Sequence, residues 1–128
     1  PLLALVVGEG CSGGALGVGV VDRMGMMENA YFSVISPEGC AAILWKDRDK
    51  APEAASALKL TAPDMVEQEI ADDIVKEPLG GAHRDPETAA QSVQEFLEES
   101  LEELEDIAMG ELLDRRYKRY RRIGIYDS

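Results

Sequence analysis

The stretch LVVGEGCSGGALG, residues 5–17, carries an apolar run into a glycine-rich segment and then into residues able to open a helix. Residues 2–7 are continuously apolar, apart from their peptide groups, which predicts a strand covered on both faces. Residues 8–14 read as a turn, and residues 13–21 as a short helix weakened by Gly17 and Gly19. Gly8, Gly10 and Gly13 fit G-x-G-x-x-G, with Glu28 near the position of a ribose-binding acid, so a dinucleotide site is one reading. A plain structural turn is the second. The third is an anion site: small residues at Gly13, Gly14 and Ala15 expose the first N–H groups of a helix, which point outward with partial positive charge. A developing oxyanion is stabilised at such a place without any side chain.

The next segments bear on the choice. Residues 24–27 and 31–35 both read as strands, yet only Asn29-Ala30 separates them as a turn. A dinucleotide fold needs a helix between successive strands, so the pattern counts against that reading. Ser36 and Pro37 then open a helix that carries residues 41–45. Residues 46–50 are a charged break, residues 51–60 an alanine-rich helix, and Thr61 with Asp64 starts another. Residues 73–76 read as a short strand and residues 77–84 as a loop. Asp85-Pro86 opens a long helix with Ala89, Ala90, Val93, Phe96, Leu97, Leu101 and Leu104 on one face and glutamates on the other. Gly110 is expected to break it, and a last basic helix runs from residue 111 to about residue 122, with Gly124 as its end. The sequence carries no internal repeat. The class is α/β, mixed early and all helical late.

The chain of 128 residues is enough for one domain with a modest core. It opens on Pro1, already in a core-like strand, which suggests a piece of a longer protein. With 25 acids against 13 bases, its net charge of −12 opposes binding to nucleic acid or to anionic membranes. No apolar run is long enough to span a bilayer. Cys11 and Cys40 are too far apart for a C-x-x-C pair and read as free thiols of a reducing compartment, with a disulfide left open.

The runs GEGCSGGALGVGVVDRMGMMENAYFSVISPEGCAAILWKD, KAPEAASALKLTAPD, EPLGGAHRDPE and RRYKRYRRIG resemble the α subunit of acetyl-CoA carboxylase carboxyltransferase, across residues 2–124. The resemblance implies the C-terminal part of that subunit. It implies a partial crotonase (ClpP/crotonase-like) fold of stacked β-β-α turns in residues 1–84, with residues 85–128 a helical C-terminal extension of the same domain. It implies transfer of the carboxyl group of carboxybiotin, borne by the biotin carboxyl carrier protein, to acetyl-CoA, giving malonyl-CoA for fatty acid synthesis. The implied partner is a β subunit in an α2β2 assembly; zinc is expected only on that subunit, and no metal on this chain. The implied compartment is the bacterial cytoplasm or the plastid stroma. The family's oxyanion-stabilising glycines match Gly13 and Gly14, with Ala15 next in line. Three residues depart from the family pattern: Cys11 and Glu69 stand where glycine is common, and Gly25 where an aliphatic residue is usual.

Two readings compete with carboxyl transfer. A hydratase or isomerase of the same fold needs a carboxylate over the thioester, and Glu9 is the one placed by sequence. A module active only within its assembly is the other. The bland readings of single residues are these. Glu9 is a solvated or turn-bonding acid, and Ser36 with Glu38 is a helix cap. His83 makes a structural hydrogen bond. Met24, Met26 and Met27 fill the core, and Trp45 is a packing or interface anchor. The basic run at residues 115–122 pairs with the acidic helix before it or with a partner subunit.

Overall fold

The computed structural model describes residues 1–124; the last four residues of the expected helical region, 125–128, lie outside it. Five short strands and six α-helices follow one another in the order β1 (Leu3–Val6), β2 (Glu9–Cys11), α1 (Ser12–Val18), β3 (Arg23–Met27), β4 (Tyr31–Ser33), α2 (Pro37–Leu44), α3 (Ala51–Leu58), α4 (Ala62–Glu67), β5 (Asp73–Val75), α5 (Pro86–Leu104) and α6 (Met109–Arg122). A 3-10 turn at Arg48–Lys50 joins α2 to α3. Two parallel sheets result: β1-β3-β5, with Leu3 opposite Arg23 and Gly25 opposite Asp73, and β2-β4, with Glu9 opposite Tyr31. Each of the first two turns of chain leaves a strand in one sheet, a strand in the other, and then a helix. The repeat is structural, and no repeated residues announce it.

The segment expected to be a turn at residues 8–14 holds a strand instead. Gly10 makes β2 possible: a Cβ there would sit 2.8 Å from the Phe32 ring on β4. Strand β1 is half-buried along its whole length, and Leu2 and Val7 at its ends are exposed, so it is not covered on both faces. It is the edge of its sheet, where nothing pairs with its free side among the described residues.

The main core lies between the sheets and the helices, with Met24, Met26 and Met27 at 2%, 0% and 1% exposure as its centre. Unbranched thioethers fill the irregular gap left by short strands. Ala89 and Phe96 of α5 join the same cluster. Gly25 explains how: a Cβ on it would meet three Phe96 ring atoms at 2.7–3.0 Å, so the bare strand surface is the seat of the ring. A smaller cluster of Cys40, Ala41 and Ala54 holds α2 to α3. Both cysteines are free, so the disulfide left open by the sequence does not form. No helix among the described residues is long and apolar enough to cross a membrane.

Helix ends follow their capping residues. Ser36 accepts from Gly39 N, Asp85 from Thr88 N, and Thr61 with Asp64 forms a full capping box. Gly110 does not break a helix; α5 ends at Leu104, and Gly110 lies in the first turn of α6, where its low propensity costs little. Helix α4 closes with Ile70 N bonding Met65 O and Glu69 N bonding Val66 O, the paired bonds of a Schellman end. That end places Glu69 at φ +57°, a left-handed position where glycine carries no steric cost. Glu69→Gly is therefore expected to stabilise the fold by about 0.5–1 kcal/mol, after the extra entropy glycine loses on folding is deducted. A rise of a few degrees in melting temperature checks it.

The basic run on α6 does not reach the glutamates of α5; Arg116 and Arg119 dock on the loops before β3 and β5. Arg116 pairs with Asp22 through two bonds of 2.9 and 2.6 Å, and Arg119 grips Asp72 at 2.6 Å and Ile70 O at 2.8 Å. Arg115 and Lys118 bond Glu111 and Asp114 on their own helix. The α5 contact to the strands runs the other way, from Arg23 on β3 to Glu103. The Asp22 side chain is 3% exposed, and its Oδ2 also accepts the Leu2 N–H. Burial alone would raise its carboxyl pKa, but the Arg116 and Leu2 bonds outweigh it and hold the carboxyl below the ordinary 3.8. A depressed folded pKa means stability present above 3.8 and lost as the pH falls through the folded value. Asp22→Asn is thus expected to cost about 2 kcal/mol at neutral pH. That difference from wild type, read by denaturant unfolding, shrinks as the pH drops below 3.8.

Candidate functional site

Where β1, β2 and α1 meet, the chain opens a cleft of about 520 Å³. Its walls are β1 and the glycine-rich segment after it, Gly14, Ala15, Val18 and Gly19 from α1, Met24 from β3 and Phe32 from β4. Of the three sequence-derived site residues, Gly14 and Ala15 line this cleft. Gly13 lies one residue before them and outside the lining.

The local chain explains the exposed backbone. Strand β2 ends at Cys11, the N-cap of α1, and no side chain caps the helix. Helices α2, α4 and α5 each have a capping oxygen at this place. The first N–H groups of α1 have no acceptor within the helix by geometry. Ser12 stands at φ +65°, a left-handed conformation that costs an ordinary residue ~1–2 kcal/mol. It makes the sharp change of direction from β2 into α1, and the sequence reading missed it; a polar residue squeezed between Gly10 and Gly13 was the available signal. A Cβ added at Gly13, Gly14 or Gly17 would meet nothing within 4 Å, so this chain does not need glycine there for its own packing. Helix α1 has no buried residue, and Leu16 and Val18 are 60% and 74% exposed.

The cleft is poor in titratable groups. Glu9 and Cys11 are the ionisable side chains in its lining, which holds no lysine, arginine or histidine. Glu9 is exposed at the rim and faces Tyr31 across the β2-β4 pair. Partial burial, and then the nearby Glu9 carboxylate, push the Tyr31 hydroxyl above its ordinary value.

The dinucleotide reading fails on this geometry. Gly10 lies in a strand, not in a turn, and Gly8 and Gly13 fall on either side of that strand. Glu28 is engaged elsewhere: Lys76 reaches it at 3.2 Å and the Glu77 N–H at 3.4 Å, and these bonds hold its carboxyl below the ordinary value. No ribose-binding acid is left. His83 is exposed in the loop after β5, and its ring makes no hydrogen bond among the described residues, so the structural bond expected of it is not seen. It borders a second cleft with Glu77, whose carboxylate is taken up by Asn29 and the Ala82 N–H. Ser36 caps α2 as expected, and Trp45 is 44% exposed at the end of that helix. Among the described residues, no three histidine, cysteine or acidic side chains converge as metal ligands would.

A family model described as acetyl co-enzyme A carboxylase carboxyltransferase-like matches residues 1–124. The acetyl-coenzyme A carboxylase carboxyl transferase subunit alpha of Protochlamydia amoebophila is 56% identical over 124 residues, covering 97% of this chain and 39% of that protein. Proteins of the same name from Chlamydia pneumoniae and Staphylococcus saprophyticus are 50% and 52% identical over 100% and 98% of this chain, in each case 40% of the relative. The chain thus spans about two fifths of the length of the curated relatives it matches. With every described residue inside the match, and identity above half in the first of these relatives, the chain belongs to the acetyl co-enzyme A carboxylase carboxyltransferase-like family.

Proposed function

We propose that this chain forms part of a carboxyltransferase α subunit that moves a carboxyl group from carboxybiotin to acetyl-CoA, giving malonyl-CoA for fatty acid synthesis. The observation that carries the reading is the cleft at Gly14 and Ala15: uncapped backbone donors in an open cleft that β1 lines with aliphatic side chains. An acyl thioester is an apolar group with one oxygen to be recognised, and such a wall suits it. The alternation of strands between two sheets supports a crotonase-type fold of stacked β-β-α turns, with α5 and α6 as the helical extension of the same domain.

Carboxybiotin on its carrier protein supplies the carboxyl group and, as the ureido anion left behind, the base for the methyl proton of acetyl-CoA. The chain's own share is positioning and charge stabilisation. The N–H groups of Gly13 and Gly14 hold the thioester oxygen as it takes up enolate charge, with Ala15 continuing the same helical turn. Each such donor is worth about 3–4 kcal/mol of transition-state stabilisation. Glycine at these positions lets the oxygen reach the backbone without a side chain in the way. The cleft lining offers Glu9 alone as a carboxylate, consistent with a reaction whose base arrives with the carrier. A β subunit bearing the zinc, the biotin carboxyl carrier protein and an α2β2 assembly complete the proposal, in a bacterial cytoplasm or a plastid stroma.

The test is carboxyl transfer by the full-length α subunit mixed with its β subunit, with carboxybiotin and acetyl-CoA as substrates. Malonyl-CoA formed only by the mixture supports the reading. Hydration or isomerisation of an enoyl-CoA, lost in Glu9→Gln, would replace it.

A further inference from the structure

Helix α1 carries the Gly13–Gly14 backbone yet buries none of its own side chains, so something other than packing must fix it. Its N-terminal end is tied to β2, which pairs with β4. Its C-terminal end passes into residues 19–22, and there the tie comes from a helix a hundred residues away. The Tyr120 hydroxyl on α6 donates to Gly19 O at 2.6 Å and accepts the Val21 N–H at 2.9 Å. Gly19 caps α1 by bonding Ala15 O at 2.8 Å, is itself buried, and lines the cleft. Three residues after Gly19, Asp22 is held by Arg116 from the same helix. The path from Tyr120 to the glycine backbone therefore runs through a single short helix: Tyr120, Gly19, Ala15, and the first turn of α1.

We propose that Tyr120 is a positioning residue for the cleft: its hydroxyl fixes the C-terminal end of α1 and thereby aims the Gly13–Gly14 donors. This rests on the oxyanion reading of those glycines. Tyr120 touches no reacting atom. Its loss acts on the height of the barrier, because small displacements of preorganised donors cost rate steeply, while the apolar walls that bind the thioester stay in place.

The experiment uses the full-length α subunit assembled with its β subunit and compares Tyr120→Phe, Gly25→Ala and Gly14→Val. Gly25→Ala crowds Phe96 on the α5 side of β3 and serves as a variant that loses stability without touching α1. Tyr120→Phe is expected to lower kcat by roughly 10- to 100-fold with KM for acetyl-CoA within about twofold, at a temperature well below its melting point. Gly25→Ala keeps the wild-type kcat. A second measurement, alkylation of the half-buried Cys11 thiol at the N-cap of α1, is expected to quicken several-fold in Tyr120→Phe and not in Gly25→Ala. Wild-type kcat in Tyr120→Phe, with only a lowered melting point, overturns the positioning role while leaving Gly13–Gly14 intact. Full activity in Gly14→Val removes the oxyanion reading itself, and this inference with it.

Discussion

Valine in place of Gly14 is expected to abolish carboxyl transfer while leaving the subunit folded and assembled. The structure separates these two effects. A Cβ at Gly14 meets nothing within 4 Å, and Gly14 is not among the residues at positive φ, so the backbone accepts a side chain. Valine is a slightly better helix former than glycine, so α1 gains a little. The branched side chain fills the space beside the donors, where the proposed mechanism puts the thioester oxygen. Losing one oxyanion contact lowers kcat by ~10²–10³-fold, and blocking the approach removes more than one. The measurement is kcat and KM for acetyl-CoA, with thermal melting and gel filtration of the assembly as controls. Wild-type turnover in a folded Gly14→Val assembly would contradict the assignment outright.

The second large effect is on stability. Phe96→Ala is expected to cost about 3–5 kcal/mol. Phe96 is 7% exposed, and its ring lies against the bare backbone of Gly25 at the centre of the three-stranded sheet. The rest of α5 offers little else: Ala89 and Ser100 are its other buried residues, and Leu97 and Leu101 are 36% and 43% exposed. Truncating the ring leaves a hole over Gly25 that no neighbour on a rigid strand can fill. Denaturant unfolding reads the loss. A change under about 1 kcal/mol would mean that α5 is not anchored by this ring.

Much of this was legible in the sequence because it is encoded locally. Ser36, Thr61 and Asp85 announce the helices they cap, and the methionines of β3 sit in the core where their composition puts them. Gly13 and Gly14 are proposed from the chemistry a bare backbone permits, and of the two Gly14 lines the cleft. What escaped was encoded at a distance or against type. Strand β2 is built from Glu-Gly-Cys, which no propensity would assign to a strand, and it exists because Phe32 packs where a Cβ on Gly10 would be. The left-handed Ser12 is signalled by nothing more than a polar residue between Gly10 and Gly13. Arg115 and Lys118 find acids one turn back on α6, but the partners of Arg119 and Arg116 are 47 and 94 residues away in the chain, beyond any periodic signal, and not on α5. Gly25 and Glu69, odd as single residues, make sense once the Phe96 ring and the Schellman end of α4 are seen.

The most direct measurement is a structure of the assembled carboxyltransferase with a CoA thioester or enolate analogue in the cleft. The account predicts the thioester oxygen about 2.7–3.1 Å from the Gly14 N–H, with the acyl group against the β1 wall. An oxygen held by other groups, with the Gly14 N–H bonded to an acceptor of the protein itself, would contradict it.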